Sequence, residues 1–164
     1  MSREVMRALL KGDMAQLDAL RSQGADFGEV TENDRWNYLH RALVSVAIPP
    51  SREVVDYLIR LGLDVNAIDV YGNTPIHYAV RLKRPDLVAR LVEAGADVNV
   101  VNGEGVSPLR QALLDKPYSQ ECIKSLLDAG ANMYQKVDGG LSVKDFAKLV
   151  ASDEPELLKL FDQR

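Results

Sequence analysis

Residues 69–101 read Asp69-Val-Tyr-Gly-Asn-Thr-Pro-Ile-His-Tyr-Ala79, then an apolar-periodic run, then Gly95-Ala-Asp-Val-Asn99. Thr74 and Pro75 suit a helix start, because a hydroxyl can accept an orphan backbone N–H and proline is tolerated in the first turn. Leu87, Val88, Leu91 and Val92 repeat as the stripe of a buried helix face. Gly95 follows that run and suits the left-handed residue that closes a helix. The stretch therefore predicts a turn, an inner helix over 75–82 and an outer helix over 85–94.

Two marks carry this register outward. Ala79 and Gly95 are 16 residues apart, as are Ala8 and Gly24; Ala42 and Gly62 are 20 apart, and Ala112 and Gly130 are 18 apart. Ala147 is a fifth mark, so the chain reads as five helix pairs, the first and last shortened. The other inner helices are expected near 3–10, 38–46, 108–115 and 143–150. The other outer ones are expected near 13–23, 51–61, 119–129 and 154–162. Turns cover 24–37, 62–74, 95–107 and 130–142. The small alanines let inner helices pack closely. The extra residues fall at Ile48-Pro49-Pro50-Ser51 and Lys116-Pro117-Tyr118-Ser119, where proline disfavours helix before it. That edge is either a second contact surface or tolerated loop growth.

Thr74-Pro-Ile-His-Tyr-Ala79 resembles the Thr-Pro-Leu-His-x-Ala marker of the ankyrin repeat, which recurs at about 33 residues. At the level of repeats the resemblance covers nearly the whole chain. It implies an all-α solenoid of about five stacked helix pairs, three central repeats between two caps, with turn or short hairpin tips. The expected divisions of this single domain are 1–31, 32–68, 69–101, 102–136 and 137–164. It also implies a protein partner held at the turn tips and the concave inner-helix face, and no catalysis. The positions that fall there are Asn33, Asp34, Trp36, Val44 and Ser45 in the second copy. In the third they are Val70, Tyr71, Asn73, Tyr78, Arg81 and Leu82. In the fourth they are Gly103, Glu104, Val106, Gln111, Leu114 and Asp115. Tyr78 and Leu82 could equally fill space between helices. The chain further resembles small bacterial ankyrin proteins that serve as immunity proteins to secreted toxins, which implies inhibition by covering a toxin's active site. A general adaptor or regulatory scaffold is the alternative.

The second copy departs most from the pattern. It has Asn37-Tyr38-Leu39-His40 in place of the marker, and Arg35 where the turn glycine is expected. Asn37 can still cap the helix. Trp36, the only tryptophan, either packs locally against the first repeat or anchors a partner, since tryptophan is enriched among residues that carry interface energy.

Composition narrows the classes. The 164 residues carry a net charge of -4, with no basic field to suggest nucleic acid. Segments 29–36, 67–73, 100–106 and 134–141 hold six acids and two bases, while the rest of the chain balances 18 against 18. That mildly acidic turn side favours a basic partner, although Asp69 reads as structural within its turn. One cysteine, Cys122, excludes an internal disulfide and reads as a small core residue. His40 and His77 occupy the family's structural histidine position, and Arg110 takes that place in the next copy. No metal-ligand spacing, phosphate loop or catalytic set stands apart from the repeat framework, so no cofactor is expected. The N-terminus reads as an amphipathic helix and not a signal peptide. No run is long enough to span a membrane. A cytoplasmic monomer is the resulting expectation.

Overall fold

A computed structural model describes residues 1–44, 48, 50–137 and 139–162. Among these residues the chain forms ten helices: α1 (Arg3–Lys11), α2 (Met14–Ser22), α3 (Tyr38–Val44), α4 (Arg52–Arg60), α5 (Pro75–Arg81), α6 (Pro85–Glu93), α7 (Pro108–Gln111), α8 (Gln120–Asp128), α9 (Val143–Val150) and α10 (Pro155–Asp162). They run as five antiparallel pairs. The inner helices α1, α3, α5 and α7 pack in one row, and α4, α6, α8 and α10 pack in a second. One continuous core lies between the rows, from Val5 to Phe161.

Local chemistry sets the helix ends. Ser2, Asp13, Ser51, Ser107, Ser119 and Ser142 each accept a backbone N–H from the first turn that follows, satisfying a donor the helix cannot. Asn37 does the same for the divergent copy, its Oδ1 accepting from His40 N at 3.0 Å. Gly24, Gly62, Gly95 and Gly130 close the outer helices of the first four pairs with φ between 84° and 90°. Arg35, two residues before its helix cap as Gly72 is, also adopts positive φ, 57° against 78°. The backbone demand is unchanged there although the glycine is gone. The helix expected over 108–115 stops at Gln111, and residues up to Pro117 form turns ahead of the next cap, Ser119. The second helix is described to Val44; Ser45, Val46 and Pro49 lie outside the described residues.

Successive pairs are joined by side chains that reach the next turn. His40 Nε2 bonds Asn73 O at 3.2 Å, and His77 Nε2 bonds Val106 O at 3.1 Å. Thr74 N–H donates to His77 Nδ1 at 3.2 Å. Nδ1 is therefore the acceptor of a neutral ring and Nε2–H the donor. Burial holds the His77 pKa down to about 4. At the third joint Arg110 replaces the histidine. Its guanidinium reaches Leu141 O at 3.5 Å and lies 3.4 Å from the centre of the Phe146 ring. A second column runs through asparagines: Asn66 donates to Gly95 O and accepts from Asp97 N, and Asn99 does the same with Gly130 and Asn132.

The turn tips are stitched as well. Val70 N donates to Asp34 O at 3.0 Å, and Gly103 N to Tyr71 O at 2.7 Å. This close approach explains Gly72, where an added Cβ would lie 2.7 Å from Gly103 N. Gly72→Ala is expected to cost about 2 kcal/mol or more, because the left-handed strain adds to a backbone clash. Gly95→Ala, with open space around it, should lose only the strain. Equal losses in urea denaturation would mean that the turns can separate without cost.

Candidate partner-binding site

The third turn is built around one carboxylate. Asp69 Oδ1 accepts from Tyr71 N and Asn73 N, both at 2.8 Å. Its Oδ2 accepts from Tyr78 Oη at 2.5 Å and from Trp36 Nε1 at 3.1 Å. Asp69 is 2% exposed. Burial alone would raise its pKa, but the donors Tyr78, Asn73 N–H, Trp36 and Tyr71 N–H outweigh it and hold the carboxyl below the usual carboxylate range. Burial first, then the bond to Asp69, pushes the Tyr78 hydroxyl up to about 12, so it remains a donor. Asn102, 33 residues on, rebuilds this turn in the fourth copy. Its Oδ1 accepts from Glu104 N and Val106 N, and its Nδ2 donates to Asn73 Oδ1 at 3.0 Å.

Above this network lies a groove of about 540 Å3. Of the positions anticipated from the sequence, Trp36, Val44, Val70, Tyr71, Asn73, Tyr78, Arg81, Gly103 and Glu104 line it together. Their roles divide. Asn73 and Tyr78 are 5% exposed and form a floor held by hydrogen bonds. Val70 and Tyr71 are 48% and 60% exposed at its lip, with Glu104 exposed beside them. Because Tyr71 N and O are both hydrogen-bonded, its ring projects from a fixed backbone.

Trp36 lines the groove and also packs locally, though on a different neighbour from the one anticipated. Its ring packs edge-on against Tyr78, centroids 6.4 Å apart at 85°, and carries the Arg41 guanidinium carbon 5.2 Å from its centre. It therefore packs on the third copy rather than the first, because the bond to Asp69 draws the indole forward. Being half-buried, it supports the fold as well as lining the groove.

The other anticipated positions do not join one strip. Val106 is 8% exposed and occupied by its turn hydrogen bonds, and Gln111, also 8% exposed, is covered beside α5. Neither lines the groove above Asp69. Gln111 and Asp115 border a small crevice that Arg81 shares, and Leu114 is exposed near it. Asn33 and Asp34 line a separate depression with Glu29 and Glu32. Leu82 is half-buried, and Ser45 lies outside the described residues. Asn102 was not singled out from the sequence, although its 33-residue offset from Asp69 was the signal.

The acidic turn side shrinks in three dimensions. Asp69 is spent on its own turn. Glu29 pairs with the Met1 ammonium at 3.3 Å and accepts from Tyr38 Oη at 2.8 Å. Glu32, Asp34 and Glu104 remain, and Asp138 lies outside the described residues. At 116–119, the edge read as either a second contact surface or loop growth, Lys116 Nζ holds Asp153 at 2.8 Å, and Tyr118 Oη donates to Val150 O at 3.0 Å.

Residues 5–102 match the family described as Ankyrin repeats (3 copies). The chain belongs to the ankyrin-repeat family. It is 28% identical over 149 residues to SAT10, an ankyrin repeat domain-containing protein of Stachybotrys chartarum, covering 83% of this chain. The chain spans only 8% of the length of that relative. Ankyrin repeats generally mediate protein–protein interaction, and the stack described above continues the ankyrin helix pairs beyond the matched region to α10. Among the described residues, no helix is long and apolar enough to cross a membrane.

Proposed function

We propose that this chain is a non-catalytic module that seats a protein partner in the groove across its second, third and fourth turns. The observation that carries this reading is the exposed Tyr71 ring on a pinned backbone, above a floor held by Asp69. A surface ordered before binding avoids much of the entropic cost of association, and tyrosine is among the side chains that dominate interface energies. Residues Trp36, Val70, Arg81 and Glu104 complete the contact set, with Asn73 and Tyr78 supporting it from beneath.

Tyr71→Ala is expected to weaken binding to a partner captured from the native host by about 1 kcal/mol or more, with an unchanged melting curve. Calorimetric titration checks it. Wild-type affinity in a Tyr71→Ala, Glu104→Arg double variant would place the partner elsewhere on the stack. Trp36→Ala is a poorer probe, since it also removes a hydrogen bond to Asp69.

A narrower form of this reading is an inhibitor that covers the active site of a basic toxin domain. The exposed acids Glu32 and Glu104, with the half-buried Asp34, support it, because complementary charge speeds encounter and rejects acidic competitors. Protection of a host on co-expression with a basic toxin domain captured from the native source tests it. Absence of protection would leave the adaptor reading in place.

A further inference from the structure

A second groove, of about 590 Å3, opens on α1 and the start of the second pair. Met6 and Leu10 form its apolar floor, and Ile48 closes one side. Arg3, Arg7 and Lys11 stand along one stripe of α1, four residues apart, and Arg41 faces them from α3. No acidic residue lines the groove. Among the described residues, none of the three α1 cations takes part in an ion pair. Four cations around an apolar floor set up a local positive field that favours an anionic occupant. The stripe runs about 12 Å at 1.5 Å per residue, the length of two helical turns.

We infer that this groove docks a short amphipathic helix rich in aspartate and glutamate. Two apolar side chains of that helix, one turn apart, would rest on Met6 and Leu10, and flanking carboxylates would meet Arg3, Arg7, Lys11 and Arg41. Methionine suits such a floor because its unbranched side chain adapts to the shape laid on it. A protein segment fits better than a lipid surface because the groove adjoins the one above Asp69. Arg41 lines this groove, and its guanidinium lies over the Trp36 ring, which lines the other. This inference rests on the reading that one protein crosses that face. It adds an acidic segment to a partner whose basic groups meet Glu104.

The probe is a fluorescent helical peptide of roughly 15 residues, with leucines one turn apart and glutamates on both flanks. A twin carries lysine for every glutamate. Anisotropy should report binding of the glutamate peptide that weakens with salt, and no binding of the twin. An Arg3→Glu, Arg7→Glu double variant should lose about tenfold in affinity or more, with an unchanged melting curve because both side chains are exposed. Lys11→Glu supplies a second variant if that pair unfolds. Tyr71→Ala should bind the peptide as the parent does, so loss of the Tyr71 reading and loss of this one are separable. Equal binding of the twin, or charge reversal without effect, overturns the inference. So does Arg-dependent binding to phosphatidylserine vesicles in place of the peptide, which would assign the groove to a membrane surface.

Discussion

Asp69→Ala should lower the unfolding free energy by about 3 kcal/mol or more. The substitution leaves four donors without their acceptor: Tyr71 N, Asn73 N, Trp36 Nε1 and Tyr78 Oη. Each buried donor stranded in this way costs about 1–3 kcal/mol, and Trp36 and Tyr71 recover part of that through contact with water. Asp69→Asn is the informative partner. Its carbonyl can still accept from the two backbone N–H groups, but its amide turns a donor toward the Trp36 N–H. Only the Tyr78 hydroxyl can rotate to accept. Asn is therefore expected to fall between the parent and Ala in urea denaturation. An Ala variant within about 1 kcal/mol of the parent, the net worth of one ordinary hydrogen bond, would show that the third turn does not depend on this carboxylate. Partner binding should fall with Asp69→Ala as well, because the Tyr71 backbone loses one of its two ties.

The second large effect is a loss of stability in mild acid. His77 is held neutral, with its pKa lowered from 6.5 to about 4 by burial. A depressed histidine pKa means that the unfolded chain takes up the proton first. The stabilisation is complete above pH 6.5 and declines as pH falls toward 4. That span corresponds to about 3 kcal/mol. Its structural reason is direct: a proton on Nδ1 would face the Thr74 N–H that now donates to it. His40, also lowered by burial, acts in the same direction. Asp69 and Glu29 are lowered too, so their contribution begins to fall only as pH enters the usual carboxylate range, below about pH 5, and the decline above that belongs to the histidines. Melting curves between pH 7 and 4.5 check this. His77→Gln should start lower and decline less steeply. An unchanged slope would assign the acid sensitivity to other groups.

Much of this architecture was legible because the repeat carries its own ruler. The glycines that close the outer helices and the asparagine cap of the divergent copy follow from local chemistry at a fixed spacing, and the structural use of both histidines was implied by the resemblance to the family. Arg35 was found in the place of a turn glycine, and it adopts the glycine's conformation. The site was less legible because it depends on partners distant in sequence. Glu29 looked like a tip acid until Tyr38 and the N-terminal ammonium claimed it. Val106 and Gln111 sat at contact positions in the repeat but are covered by their neighbours. Arg3, Arg7 and Lys11 read as the solvated face of a terminal helix. Their stripe was visible, but Arg41 and Ile48, which complete a groove around it, arrive only through the packing of α3 on α1. The early end of α7 follows from the turns that lead into Pro117 and could not be placed from periodicity alone.

The exchange of histidine for Arg110 at the third joint divides the molecule unevenly. The two joints that can take up a proton lie beneath the groove that carries Tyr71, whereas the guanidinium stays charged throughout. On acidification the unfolded chain takes up protons that the two front joints refuse, whereas the rear joint carries no group that titrates in that range. The acid limit of the stack is thus set at its front, by two buried rings that must stay neutral, while the rear joint draws on a group that does not titrate there.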